Sequence, residues 1–146
     1  MSIRQTTPAA AHTLLDQGYR YIDVRTEGEF ANGHPVGAVN IPVVLADPVT
    51  RQMTLNPEFL TVVEAHFSRD ASIIVGCQAG GRSLRAAELL TQAGYTNVAN
   101  MQGGFSGMRD QTGQTVIPGW AESGLPVSHD CGPESSYAGL RTAALR

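Results

Sequence analysis

The amino-acid sequence predicts one α/β domain with a largely parallel sheet. Short apolar runs at residues 21–24, 73–75 and 98–101 have the length of buried strands. Stretches of helical period stand between them, and most junctions carry a helix cap or a glycine stop. Strands alternating with helices across short connections are the pattern of a parallel sheet, whose ligands sit at the carboxyl ends of the strands. A chain of 146 residues is long enough for one such domain with its own core.

Each element has a local reason. Ile3 lies in a short opening strand. Thr7 followed by Pro8 reads as an N-cap with proline in the first turn. A helix over residues 8–17 then buries Ala11, Leu14 and Leu15 and stops at Gly18. Tyr19-Arg20-Tyr21-Ile22-Asp23-Val24-Arg25 is a strand. Thr26 and Glu29 form a capping box for a short helix that tucks Phe30 inward and ends at Asn32-Gly33. A turn at His34-Pro35-Val36-Gly37 precedes a brief strand over residues 38–41, closed by Pro42. Residues 43–55 have no clear period and read as a loop. Asn56-Pro57-Glu58 opens a helix with Phe59, Leu60, Val63 and Phe67 on one side.

Asp70-Ala71 turns the chain into the central strand at Ile73-Ile74-Val75. A helix from Ser83 to about Ala93 sets Arg85, Glu88 and Gln92 against Ala86, Ala87, Leu90 and Ala93, with Gly94 as its stop. A strand over residues 98–101 follows, and Gly103-Gly104 opens another short helix. Residues 107–119 are polar and turn-rich, an exposed loop before Trp120. From Ser128 onward the chain is small and polar, and its last stretch, residues 137–145, is expected to fray rather than dock as a helix.

Composition removes several function classes. Net charge is −3, so there is no basic footprint for nucleic acid. All ten basic residues are arginine, from which no function follows. No apolar run is long enough for a membrane span, and no secretory signal follows Met1-Ser2-Ile3-Arg4. Cys77 and Cys131 are too few for a disulfide framework. The expected setting is a cytoplasmic, reducing compartment, where a loop cysteine stays a usable thiol. His12 and His66 lack metal-ligand companions and no zinc-like spacing exists, so no metal and no cofactor are expected.

The chemistry is expected at Ile73-Ile74-Val75-Gly76-Cys77-Gln78-Ala79-Gly80-Gly81-Arg82-Ser83. A strand, a tight loop and a helix N-terminus place backbone N–H groups and a positive dipole end around one cysteine. Both features favour the thiolate, so Cys77 is the candidate nucleophile. Gly80 and Gly81 are expected to supply the positive φ values of so short a loop. From Cys77 to Arg82 the spacing is C-x4-R, one residue shorter than the C-x5-R loop that cradles a phosphoryl group. The shorter loop leaves room for a terminal sulfur rather than a phosphate.

These motifs resemble a single-domain rhodanese, a thiosulfate sulfurtransferase. The matching pieces are Asp23-Val24-Arg25, His34-Pro35-Val36-Gly37-Ala38-Val39-Asn40-Ile41-Pro42, the loop from Cys77 to Ser83, and Gly103-Gly104-Phe105 with Gly124-Leu125-Pro126-Val127. Together they span nearly all of residues 1–127. The resemblance implies a central, mostly parallel five-stranded sheet flanked by helices on both faces. It makes residues 1–127 the rhodanese domain, with an insertion at about 107–119, and residues 128–146 a C-terminal tail, helical in part. Where the family often carries a tryptophan shortly after the glycine pair, this chain has Met108, and Trp120 is the residue expected to take its place.

The activity implied is a double displacement. Cys77 takes the outer sulfur of thiosulfate or another persulfide donor and passes it to cyanide or a thiol, with a protein thiol as a possible partner. Cys77 and Arg82 are the catalytic pair. Gln78, Ala79, Gly80, Gly81, Ser83 and Arg85 are the substrate-binding residues, with Arg85 drawing the dianion in and Glu88 partly neutralising it. Asp23 and Arg25 support the loop through hydrogen bonds. His34 belongs to a structural turn, since a persulfide route needs no general base. Cys131 reads as a free thiol of the tail rather than a resolving one. The alternatives are a sulfur-carrier or protein-binding module and, disfavoured by the loop count, a small cysteine-based phosphatase or arsenate reductase.

Overall fold

A computed structural model describes residues 3–79 and 81–145 of the chain. Five parallel strands make the main sheet: β1 (Arg4–Thr6), β2 (Arg20–Asp23), β4 (Val39–Asn40), β7 (Ser72–Gly76) and β8 (Asn97–Met101). Their spatial order is β1-β8-β7-β2-β4, so β7 lies at the centre. Along β2 and β7 successive side chains serve opposite faces. Ile22, Ile73 and Val75 join one core cluster, while Tyr21 and Ile74 join the other.

Helices cover both faces. α1 (Pro8–Asp16) and α2 (Glu27–Ala31) bury Ala11 and Phe30 in the cluster that also holds Tyr21 and Trp120. α3 (Phe59–His66), α4 (Gly81–Gln92) and α5 (Tyr137–Ala144) pack on the opposite face. The caps form as the sequence requires. Thr7 Oγ1 accepts from the Ala10 N–H, and Thr26 and Glu29 complete the capping box of α2. Gly18 and Gly94 end α1 and α4 with φ of +98° and +101°.

Four segments differ from expectation. Residues 43–55 form a hairpin, β5 (Val44–Ala46) against β6 (Met53–Leu55), closed by an Asp47 side chain that accepts from the N–H groups of Val49 and Thr50. Gly103 and Gly104 open no helix, because both take positive φ, +83° and +59°. Residues 107–119 are a second small hairpin, β9 (Met108–Arg109) with β10 (Thr115–Ile117), fastened by Arg109 to Thr115 and Glu122. The end of the chain does not fray. Ser136 caps α5, Tyr137 and Leu140 are buried, Tyr137 Oη accepts from Asn56 Nδ2 at 2.9 Å, and Arg141 pairs with Glu58.

Between sheet and α5 the chain braces the edge. β11 (Val127–Ser128) pairs antiparallel with β3 (His34–Pro35), and the Asn40 N–H on edge strand β4 donates to the Ser135 carbonyl.

Candidate active site

Cys77 follows the central strand directly, at its carboxyl end, and is 2% exposed. The strand ends as it does because of Gly76. A Cβ there would run into the Tyr21 hydroxyl, which the opposite face of the sheet brings up from β2. α4 begins at Gly81, so its first turn sits next to the thiol and adds its positive dipole end.

Ser83, in that first turn, is fully buried. Its Oγ lies 3.4 Å from Cys77 Sγ and donates to Asn100 Oδ1 on β8 at 2.5 Å. Asn100 is therefore a site neighbour that sequence reading missed. The available signal was an amide in the middle of the otherwise apolar run Val98-Ala99-Asn100-Met101.

The floor of the loop is held from a third segment. The carbonyls of Cys77 and Gln78 accept from the N–H groups of Phe105 and Ser106, at 2.7 and 3.0 Å. Gly104 lies so close beneath them that a Cβ would come within 2.6 Å of the Gln78 carbonyl. The Gly103-Gly104 pair is thus a backbone platform for the loop.

Asp23 and Arg25 are 1% and 2% exposed, and pair at 2.7 Å. Arg25 also donates to the Gly33 carbonyl and to Gln78 Oε1, and its guanidinium stacks 4.6 Å from the Phe105 ring centroid. Burial opposes its charge, while Asp23 more than restores it, so Arg25 is held firmly protonated. Gln78 passes this restraint on, donating from Nε2 to Ser106 Oγ.

Arg82 is bound to Glu29 by a two-pronged ion pair, so most of its charge is answered within the protein. Glu29 in turn raises Arg82's affinity for its proton. Arg85 is exposed on α4 and makes no ion pair with Glu88 among the described residues. Ala79 is exposed in the loop. Gly81 does not take positive φ. It is the first residue of α4 with helical backbone, so that expectation is corrected, and Gly80 lies outside the described residues.

The remaining residues are accounted for by packing. His34 stacks on Phe30 with ring centroids 3.6 Å apart, its Nδ1 at 2.8 Å from the Phe30 carbonyl. Trp120 is buried edge-on to His12 and Tyr21, and its Nε1 donates to the Pro126 carbonyl. Cys131 is exposed and free. Among the described residues no group of three or more His, Cys, Asp or Glu side chains is placed to hold a metal ion.

A buried cysteine between a central parallel strand and a helix N-terminus, with its loop tied down by neighbouring turns, defines an α/β domain of the cysteine-loop kind. The chain belongs to the rhodanese-like domain family, whose model matches residues 7–111. It is 44% identical over 117 residues to thiosulfate sulfurtransferase 16, chloroplastic, of Arabidopsis thaliana, a match covering 80% of this chain and 86% of that protein. With thiosulfate sulfurtransferase 18 of Arabidopsis thaliana it shares 46% identity over 97 residues, covering 65% and 70% of the two chains. Two further plant relatives are longer, and the match spans 56% and 57% of their length. The crystal structure of Rv0390 from M. tuberculosis superposes with a TM-score of 0.73 at 29% identity, over 89% of this chain and 100% of that one. Family and relatives together support a rhodanese-type transferase. Among the described residues no helix is long and apolar enough to cross a membrane.

Proposed function

We propose that the protein moves a sulfane sulfur from thiosulfate, or another persulfide donor, to cyanide or a thiol through a persulfide on Cys77. The observation that carries this is the placement of Sγ, at the carboxyl end of β7 and 3.4 Å from the Ser83 hydroxyl in the first turn of α4. In the first half-reaction the Cys77 thiolate attacks the outer sulfur of thiosulfate. The S–S bond of the donor breaks, sulfite departs with the bonding pair, and a Cys77 persulfide anion remains. In the second, cyanide or a thiolate attacks the outer sulfur, thiocyanate or a new persulfide leaves, and the thiolate returns. Neither step transfers a proton to carbon or oxygen, so no general base is required.

In this reading Arg82 braces the loop through Glu29 rather than carrying substrate charge alone, and exposed Arg85 attracts the dianion. Gln78, Ala79, Gly80, Gly81 and Ser83 line the loop that receives the sulfur, and Asp23 and Arg25 fix Gln78. Residues 1–127 carry the reaction, and residues 128–146 brace the sheet edge and α3. Two thiols outside any disulfide suit a reducing compartment such as the cytoplasm, and a protein thiol is a fitting acceptor. Thiocyanate formation from thiosulfate and cyanide tests the reading. Turnover in the wild type and none in Cys77→Ser supports it. Hydrolysis of a phosphate ester without any thiocyanate overturns it.

A further inference from the structure

Asn100 interrupts the apolar strand β8, is 4% exposed, and has no part in the reaction as written. Its orientation is set from the far side, where Nδ2 donates to Gln5 Oε1 at 2.9 Å. That leaves Oδ1 turned to Ser83 Oγ, 2.5 Å away. A carbonyl oxygen only accepts, so the Ser83 proton points at Asn100. On its other side the Ser83 oxygen faces Cys77 Sγ at 3.4 Å with the thiol as donor. A hydroxyl has one proton. Committed to Asn100, it offers the sulfur a lone pair, which suits S–H and opposes S⁻.

We propose that Asn100 is a positioning residue that competes with Cys77 for the single Ser83 proton, the hydroxyl turning from amide to sulfur whenever Sγ carries charge. This rests on the reading of Cys77 as the sulfur nucleophile. Ionisation sends the thiol proton to solvent and the hydroxyl swings to Sγ. Once sulfur is taken from the donor, the negative charge sits on the outer sulfur and Sγ is a neutral, two-bonded sulfide. The hydroxyl then returns to Asn100. Discharge of the sulfur puts the charge back on Sγ and turns the hydroxyl again. Asn100 thereby favours the protonated and the sulfur-loaded forms over the bare thiolate.

The test is the rate of iodoacetamide alkylation of Cys77 against pH, in a Cys131→Ser background so that one thiol reports. Ser83→Ala removes the donor and moves the midpoint up. Asn100→Ala removes the competitor and moves it down, by about one pH unit, the worth of one hydrogen bond to an anion. Because Asn100 is buried, Gln5→Leu is the second probe. Gln5 is exposed, and without its acceptor the Asn100 amide is released to present Nδ2 to Ser83, which also moves the midpoint down. Combined with Ser83→Ala, Asn100→Ala has no further effect. Midpoints that rise or stay put in both Asn100→Ala and Gln5→Leu overturn the proposal, as does a double variant unlike Ser83→Ala. A wild type that gains no sulfur from thiosulfate overturns the nucleophile reading instead, while the opposed pH shifts still decide the role of Asn100.

Discussion

Arg82 and Glu29 are joined by two hydrogen bonds, Nη1 to Oε1 at 2.6 Å and Nη2 to Oε2 at 2.9 Å. The pair ties the first turn of α4, which frames Cys77, to the first turn of α2. Glu29 serves both ends, since the same carboxylate closes the capping box on Thr26. Burial pushes its carboxyl up, but the hydrogen bond from Arg82, the Thr26 N–H and the Arg82 charge more than offset this and hold it at about 2.

A carboxyl depressed on folding contributes stability above its unfolded value, here 4.5, and loses it as pH falls towards about 2. With the side chains 26% and 32% exposed, solvent screening limits the contribution to about 1–2 kcal/mol. Urea midpoints of the wild type are expected to fall across this acid window. Glu29→Gln is expected to lower stability near neutrality and to flatten that fall.

Gly104→Ala is expected to damage activity more than stability. The new methyl would meet the carbonyls of Cys77 and Gln78, backbone atoms that cannot turn aside. Overpacking of this kind costs about 1–3 kcal/mol. Displacing the loop under the nucleophile is expected to lower kcat/KM about 10–100-fold. Comparing urea midpoints with steady-state rates separates the two effects.

Asp23→Ala leaves the Arg25 guanidinium buried without its counter-charge. Breaking a buried pair on one side costs about 3–5 kcal/mol, so this variant is expected to unfold at much lower urea than Asp23→Asn, which keeps shape and one acceptor. A smaller loss in Asp23→Ala than in Asp23→Asn would contradict the assignment of Arg25 as fixed by that carboxylate.

Tyr137→Phe removes the hydroxyl that accepts from Asn56 and is expected to cost about 1 kcal/mol. Because α5 packs on α3 away from the loop, kcat/KM is expected to be unchanged.

The main sheet and its caps were legible because each rests on a local signal: Thr7-Pro8, the Thr26–Glu29 box, Gly18, Gly94, and the apolar runs of β2, β7 and β8. The two small hairpins were not. Their strands are two or three residues long, too short for a period, and Asp47 and Arg109 close them with side-chain contacts that no pattern announces. Gly103-Gly104 misled because glycine at a helix start and glycine in a tight turn look alike until φ is known. In the site, Cys77 and its loop stood out, as did Asp23 and Arg25. Glu29 read as a cap alone, since its second partner, Arg82, is far away in sequence. The Ser83–Asn100 contact joins a helix to a strand, a pairing that only the packed fold creates.

The most direct test of the central claim is intact mass after incubation with thiosulfate. The account predicts a gain of one sulfur atom that cyanide reverses and that Cys77→Ser lacks. No gain in the wild type, or an equal gain in Cys77→Ser, would contradict it.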